Sequence, residues 1–188
     1  MAKFISKLIC TKYMIITISG KAGSGKSTVT REVAKKLNLK HHSIGDLMRQ
    51  IAKERNISLI ELSREAEKDY SVDKELDKKQ IELKEQDNFV IDGRLTAFFI
   101  PNADIKVFLD CSDEVRAERI LKAGREDEKS KHIDDSIERI KQREESERKR
   151  YKKLYNIDYY DKKLYDLIID TTNLSIKEVV EKIMKAVK

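Results

Sequence analysis

The chain has 188 residues, of which 39% are hydrophobic and 39% are charged, and its net charge is +6 at pH 7. This length fits one domain with a hydrophobic core, and the clustering of the apolar residues argues against a disordered chain. The positive balance favours anionic partners such as nucleotides, nucleic acid or acidic lipid, but an excess of 40 basic over 34 acidic residues does not single out nucleic acid.

The first 13 residues, MAKFISKLICTKY, place lysines around an apolar centre. They lack a small-residue cleavage site before the first predicted strand, so they do not resemble a signal peptide. We interpret them as an N-terminal extension, or as the product of an early start codon ahead of Met14. Cys10 and Cys111 have no metal-type spacing and favour a reducing compartment. No apolar run approaches the ~18–20 residues that span a membrane, so we predict a cytoplasmic protein.

Five short runs are predicted to be strands. Three of them are continuous blocks of Ile, Val, Leu and Phe, which is typical of central parallel strands that are covered on both faces. The second run, KHHSI, is polar and departs from this pattern. The predicted strands are Tyr13–Ser19, Lys40–Ile44, Asn88–Asp92, Ile105–Asp110 and Asp166–Asp170.

Segments with helical periodicity separate these strands. They are Ser27–Leu37, Asp46–Arg55, Ser58–Lys68, Val72–Glu85, Ser112–Lys122, Asp134–Tyr155 and Ser175–Ala186. Alternating strands and helices predict an α/β fold with three layers, α/β/α, around a five-stranded parallel sheet. The chain has no internal repeat and no Gly/Ser-rich linker, so residues 1–188 are predicted to form a single domain.

Five of the six glycines follow the ends of predicted strands, where open α/β sheets bind ligands. Three of these five belong to GKAGSGKS, Gly20–Ser27, which matches the phosphate-binding loop G-x-x-x-x-G-K-[ST] between a strand and a helix. In such a loop the backbone N–H groups surround phosphate oxygens, the lysine reaches the β- and γ-phosphates, and the serine hydroxyl ligates Mg²⁺. The predicted ATP-binding residues of this region are Gly20, Lys21, Ala22, Gly23, Ser24, Gly25, Lys26, Ser27 and Thr28.

The chain lacks the N-K-x-D motif that a GTPase would need. Its other motifs are HHSIGDLMR, VIDGRL, VFLDCSDEVRAERI, RIKQREESERKRY and LIIDTTNLSIKEVV. Together with the phosphate-binding loop, this ordered set resembles the nucleoside monophosphate kinases, and most closely the archaeal-type cytidylate kinases, from about Met14 to Lys188. The resemblance implies a P-loop kinase fold, ATP and CMP or dCMP as substrates, Mg²⁺ as cofactor and a monomeric protein. It also implies an NMP-binding segment over residues 44–86 and a lid over residues 123–135.

Several residues are candidates for the acceptor side of the reaction. Asp92 ends a buried strand beside the phosphate-binding loop, where its carboxylate can orient Mg²⁺ through water. The resemblance implies that Arg94 and Arg49 contact the acceptor phosphate and that Ser43 and Gly45 form a turn beneath the acceptor nucleotide. For the base it implies Asp77 and Lys79. Leu95 follows Arg94 where the bacterial enzymes have aspartate, so the choice between cytosine and uracil stays open.

The charged stretch QREESERKRYKK, residues 142–153, belongs to a predicted long helix. At ~100° per residue, Arg139, Arg143 and Arg150 form one stripe, and Glu147 lies between that stripe and the apolar side. Lys149 and Lys152 are predicted to face water. The resemblance implies that Arg143 and Arg150 contact phosphate and acceptor and that Glu147 contacts the acceptor sugar or its neighbouring arginines.

The resemblance also places donor contacts around the predicted lid. Arg119 and Arg125 resemble arginines that stack on adenine and touch the donor phosphates, and Asp170–Asn173 lies where such kinases hold adenine. Lid closure would exclude water from the γ-phosphate.

The predicted activity is Mg²⁺-dependent transfer of the ATP γ-phosphate to CMP or dCMP, with no covalent intermediate and no required nucleic acid. The resemblance assigns Lys26, Asp92, Arg94, Arg125 and Arg143 to catalysis. Two alternatives stay open: a kinase of UMP or AMP, and an NTP-binding RNA or ribosome-assembly factor, which the basic balance would suit.

Overall fold

The structure is a computed structural model that describes residues 14–83, 85–123 and 132–187. Within these residues, five strands form one sheet: β1 Ile15–Gly20, β2 Lys40–Ser43, β3 Phe89–Asp92, β4 Ile105–Asp110 and β5 Leu167–Asp170. The helices are α1 Lys26–Leu37, α2 Ile44–Glu54, α3 Leu59–Asp69, α4 Ser71–Leu83, α5 Thr96–Phe99, α6 Asp113–Lys122, α7 Ile133–Tyr155 and α8 Ile176–Ala186, with a 3₁₀ turn at Lys162–Leu164. None of these helices is long and apolar enough to cross a membrane.

All neighbouring strands run parallel, in the order β2-β3-β1-β4-β5. The central strand β1 is fully buried and pairs with β3 through Ile18 and Asp92 and with β4 through Ile18 and Val107. On one face of the sheet α1 and α8 share a core with the strands, and on the other Phe89 and Phe108 pack under α5 and α7. The predicted three-layer α/β fold with five parallel strands is confirmed.

Serine side chains begin several helices by accepting a backbone hydrogen bond from the residue three positions later. This holds for Ser43, Ser58, Ser112 and Ser175. Serine at this position satisfies a backbone donor that the first helical turn leaves unpaired. Because Ser43 caps α2, the helix begins at Ile44, where the sequence prediction still had strand.

Two helices end at asparagine residues with positive φ. Asn156 ends α7 in the left-handed conformation, with φ 55°, and Asn38 does the same for α1. Asparagine tolerates this conformation better than most side chains. The predicted helix ends at Leu37 and Tyr155 agree with these two caps.

The segment predicted to bind the acceptor contains α2, α3 and α4. These helices share a core of their own, made of Met48, Ile51, Ala52, Leu59, Leu62, Ala66, Val72 and Leu76. Helix α3 also packs along α7, so the segment is joined to the charged helix. Of the predicted lid, residues 124–131 lie outside the described residues, as do residues 1–13.

Candidate active site

A cleft of about 390 Å³ opens at the carboxyl ends of β1 and β3. Its wall combines the phosphate-binding loop and α1 with side chains from α2, α4, the turn after β3, α6 and α7. Parallel α/β sheets place their ligands at this edge, because the loops that follow adjacent strands diverge there. The cleft therefore brings most of the predicted donor and acceptor residues into one cavity.

The phosphate-binding loop needs glycine at two close approaches. Gly20 has φ 144°, and a Cβ there would collide with the carbonyl of Leu109 on β4. Gly23 has φ 75°, and a Cβ there would lie 2.7 Å from the carbonyl oxygen of Arg116. Gly25, with φ 91°, precedes α1, whose N-terminus favours anions. The loop is thus tightly packed between the sheet edge and α6.

Lys26 is the first residue of α1 and is only 9% exposed. Its Nζ donates a hydrogen bond to the carbonyl oxygen of Lys21 at 2.6 Å, across the loop. Burial lowers the pKa of Lys26 well below its usual value, and the positive charge of Arg94 lowers it further, against the opposing effect of Asp92. The neighbouring carboxylates therefore offset the cost of burying the ammonium charge only in part, as expected for a side chain that binds an anionic ligand.

Asp92 contacts polar side chains from two other elements, α1 and β2. Its Oδ2 accepts hydrogen bonds from Ser27 Oγ at 2.9 Å and Ser43 Oγ at 3.0 Å, and its Oδ1 lies 3.0 Å from Nε2 of His41. Ser27 and Asp92 both line the cleft. A hydroxyl and a carboxylate oxygen beside a phosphate-binding loop are the hard donors that Mg²⁺ takes in such sites, with water and phosphate completing its shell. The donor set therefore fits the predicted metal ligands.

Glu147 of α7 contacts two arginines that are predicted to bind the acceptor, Arg94 and Arg143. Its Oε2 lies 2.7 Å from Arg94 Nε, and its Oε1 lies 3.1 Å from Arg143 Nε. Burial alone would raise the pKa of Glu147, but Arg94, Arg143 and Arg150 outweigh it and lower the pKa to about 2. The carboxylate stays ionised and holds both guanidinium groups at the cleft wall.

The remaining acceptor candidates lie on α2 and α4. Arg49 and Gly45 line the cleft, and Arg49 forms an ion pair with Asp46. Asp77 also lines the cleft and accepts a hydrogen bond from the Tyr155 hydroxyl. Burial raises the pKa of Asp77 to about 6. Lys79 is exposed and pairs with Glu82, so it is the one of the two predicted base contacts that lies outside the cleft.

Comparison with known proteins places these residues in a family. The model of the cytidylate kinase-like family matches residues 15–173. The chain belongs to this family. It is 43% identical to the cytidylate kinase of Pyrococcus abyssi over 173 residues, which cover 92% of each chain. It is 42% identical to that of Methanosphaera stadtmanae over 176 residues, which cover 93% of this chain and 98% of the relative.

Solved structures agree with the fold of this cytidylate kinase-like chain. The shikimate kinase of Bacteroides thetaiotaomicron superposes with a TM-score of 0.64 over 92% of this chain and 97% of that one, at 18% sequence identity. The shikimate kinase of Aquifex aeolicus gives 0.56 over 92% of this chain and 95% of the other, at 24% identity. At these identities the similarity shows the P-loop kinase fold alone. The resemblance to cytidylate kinases that the sequence motifs indicated is confirmed by the family match and the cytidylate kinase relatives.

Arg150 lies behind the wall of the cleft rather than on it. It is 2% exposed, its Nε donates to Oδ2 of Asp73 at 2.7 Å, and its Nη1 donates to Ser146 Oγ at 2.6 Å. Another hydrogen bond reaches the carbonyl of Ser63 on α3. Arg150 was predicted to contact the nucleotides. In the structure its guanidinium instead connects α3 and α4 to α7.

Lys21 and Arg139 also lie away from the cleft. The Nζ of Lys21 lies 2.8 Å from Oδ1 of Asp110, and Lys21 is not part of the cleft wall. Arg139, which shares the predicted stripe, is exposed, whereas Lys149 and Lys152 face water as predicted. Arg125 lies outside the described residues.

Arg119, a predicted contact of ATP, reaches the loop after β5. Its Nη2 donates to the carbonyl oxygen of Thr171 at 2.8 Å and its Nη1 donates to Thr171 Oγ1 at 3.0 Å. Thr171 belongs to the predicted adenine segment, and Arg119 lines the cleft. The structure therefore brings together two residues, 52 positions apart, that were both predicted to lie at the ATP side of the site.

Sequence reasoning missed several buried polar residues. Arg116 and Glu144 form an ion pair behind the phosphate-binding loop, and Asp73 pairs with Arg150. Gln80 lines the cleft and is 2% exposed, and its Oε1 has no hydrogen-bond partner among the described residues. The available signal was the placement of Glu144 on the apolar seam of α7, because an acid is rarely buried without a partner.

Proposed function

We propose that this protein catalyses Mg²⁺-dependent transfer of the ATP γ-phosphate to CMP, and also to dCMP. The observation that carries the proposal is the meeting of Lys26 with Arg94, Arg143 and Glu147 in one cleft. Two polyanions must approach each other during phosphoryl transfer between nucleotides, and positive side chains from separate elements neutralise them. Membership of the cytidylate kinase-like family supports CMP as the acceptor.

On the donor side, the backbone N–H groups between Gly20 and Ser27 would hold the phosphates at the N-terminus of α1. Lys26 would leave its hydrogen bond with the Lys21 carbonyl and contact the β- and γ-phosphates. Its ammonium group lacks full compensation in the protein, so phosphate contacts relieve an unfavourable burial. Arg119 and Asp170–Asn173 would bind the adenosine part.

Mg²⁺ would be held by Ser27 and Asp92, and when bound it supplies positive charge that neutralises the phosphates. The Asp92 carboxylate is fixed by Ser43 and His41, which limits its motion. Ser43 would therefore act through Asp92 as well as through the turn under the acceptor. Positioning and charge neutralisation carry the reaction, with no covalent intermediate on the chain.

On the acceptor side, Arg94 and Arg143 would bind the CMP phosphate, with Arg49 approaching from α2. Glu147 would keep the two guanidinium groups in place before the nucleotide arrives, so less ordering is needed on binding. Asp77 would accept hydrogen bonds from the exocyclic amino group of cytosine. Residues 44–86 act as the NMP-binding segment in this proposal, and residues 123–135, with Arg125, act as the lid.

The test is CMP-dependent release of ADP by the purified protein in the presence of ATP and Mg²⁺. We expect ADP release to rise steeply when CMP is added and to stay low without an acceptor. We expect the protein to act as a monomer in the cytoplasm, on free nucleotides. RNA binding that weakens steeply with salt, together with ADP release that ignores CMP, would contradict the proposal and favour an RNA-associated factor.

A further inference from the structure

The phosphate-binding loop is held from outside the cleft by a buried ion pair. Arg116 of α6 is 2% exposed, and its Nη1 donates to Oε1 of Glu144 on α7 at 2.5 Å. The same Oε1 accepts a hydrogen bond from the N–H of Ala22 at 3.3 Å. The same Nη1 donates to the carbonyl oxygen of Ala22 at 3.4 Å. One ion pair therefore contacts both backbone polar groups of a single loop residue.

The backbone of α6 supports the same part of the loop. The space beside Gly23 is filled by the carbonyl oxygen, Cα and Cβ of Arg116, at 2.7 to 3.0 Å from an added Cβ. Any side chain at position 23 would push α6 away from the loop. Side chain and backbone of Arg116 thus fix two consecutive loop residues, Ala22 and Gly23.

The charge of Glu144 needs compensation at this position. A carboxylate bound to the backbone of a phosphate-binding loop opposes the phosphates unless a cation neutralises it. Arg116 contacts Glu144, and its Nη2 also lies 2.5 Å from Oδ1 of Asp113. Burial alone would lower the pKa of Arg116, but Glu144 and Asp113 raise it, so the guanidinium stays charged.

We propose that Arg116 and Glu144 are positioning residues for ATP binding. They hold Ala22 so that the neighbouring N–H groups of the loop stay directed at the phosphates, and Arg116 cancels the negative charge of Glu144. The pair also joins α6 to α7, the two helices that flank residues 123–132. This inference rests on the proposed function, because it takes the loop to be the site for the ATP phosphates.

The experiment compares Arg116→Met, Glu144→Gln and the double variant with the wild-type protein. Arg116→Met leaves a buried, unpaired carboxylate beside the loop, and we expect the KM for ATP to rise by roughly tenfold or more, with the KM for CMP unchanged. Glu144→Gln retains an oxygen that can accept from Ala22, so its effect should be smaller. The double variant removes the uncompensated charge and should recover most of the loss that Arg116→Met causes.

The control pair is Arg148 and Asp158, an exposed ion pair that also involves α7. Arg148→Met should leave both KM values unchanged. Equal rises in the KM for ATP and for CMP in Arg116→Met would overturn the inference. A double variant with a KM for ATP as high as that of Arg116→Met would also overturn it. If Arg116→Met does not fold, Arg116→Lys is the second variant. It keeps the positive charge but loses the guanidinium group that contacts Glu144 and Asp113 at the same time, and it should raise the KM for ATP alone.

Calorimetric titration of each variant with ATP and Mg²⁺, without an acceptor, separates this inference from the proposed function. The wild-type protein binding ATP while failing to use CMP would contradict the cytidylate kinase activity only. Arg116→Met binding ATP as tightly as the wild type would contradict the positioning role only.

Discussion

Arg94 follows β3 and Glu147 lies 53 residues later on α7, yet Arg94 Nε and Glu147 Oε2 are 2.7 Å apart. Both side chains are largely buried, with 12% and 2% of their surfaces exposed. Arg143 contacts the other oxygen of the same carboxylate. A single buried acid therefore links the sheet edge to the charged helix and holds two cations at the part of the cleft that is predicted to bind the acceptor.

Replacement of Glu147 by glutamine should lower both acceptor use and stability. The variant leaves Arg94 and Arg143 buried without their carboxylate, and breaking a buried pair in this way costs about 3–5 kcal/mol. We expect a lower Tm in thermal unfolding and a kcat/KM for CMP reduced by roughly 10–100-fold. Glu145→Gln is the matched control, since Glu145 is exposed on the same helix. Unchanged CMP use in Glu147→Gln would contradict the assigned role.

Stability should depend on pH through Glu147. Its pKa in the folded protein is about 2, below the ordinary value of 4.5. A lowered carboxyl pKa contributes stability that is fully present above pH 4.5 and is lost as pH falls toward 2. The contribution at neutral pH is about 3 kcal/mol. Urea unfolding at pH 7, 5 and 3 should show that the free energy of unfolding falls less with decreasing pH in Glu147→Gln than in the wild type. Equal decreases in the two proteins would contradict the contribution assigned to Glu147.

Lys26→Ala should remove most of kcat without destabilising the ligand-free protein. The substitution deletes the ammonium group predicted to contact the β- and γ-phosphates, and loss of one such group costs roughly 10²–10³ in kcat. It also removes a buried positive charge that the positive charge of Arg94 repels. The Tm without nucleotide should therefore equal or exceed that of the wild type. Lys36→Ala, an exposed site on α1, is the control. Normal activity in Lys26→Ala would refute the phosphate-binding assignment.

Arg94→Ala should harm acceptor use and turnover while leaving ATP binding intact. Arg94 lies 3.5 Å from the carbonyl oxygen of Gly20 through Nη1, yet its strongest contact is with Glu147. Steady-state kinetics with each substrate varied in turn should show a higher KM for CMP, a lower kcat and an unchanged KM for ATP. A rise confined to the KM for ATP would place Arg94 on the donor side instead.

The fold could be predicted because its signals are local. Continuous apolar runs gave the strands, and serine and asparagine caps fell close to the predicted helix ends. Helix α5, residues 96–99, was missed because four residues are too few to show a helical period. The start of α2 was placed late because Ser43, which caps the helix, is also the last residue of β2.

The motifs identified several residues that lie close together in the structure, and the roles assigned to these residues stay predictions. The loop Gly20–Ser27, Asp92 and Arg94 lie together as expected, since strand ends of a parallel sheet share one edge. Pairings between helices carry no local signal, so the contacts of Arg116 with Glu144 and of Arg150 with Asp73 escaped prediction. Helical projection placed Arg150 in a stripe at the border of the packed side of α7, but the structure buries its guanidinium against Asp73 of α4, an acid that the projection could not identify.

The most direct test of the cytidylate kinase activity is the rate of ADP release with ATP and Mg²⁺ against a panel of acceptors: CMP, dCMP, UMP, AMP and GMP. We expect the highest rates, and the highest kcat/KM values, with CMP and dCMP. A rate with AMP equal to or greater than the rate with CMP would contradict it.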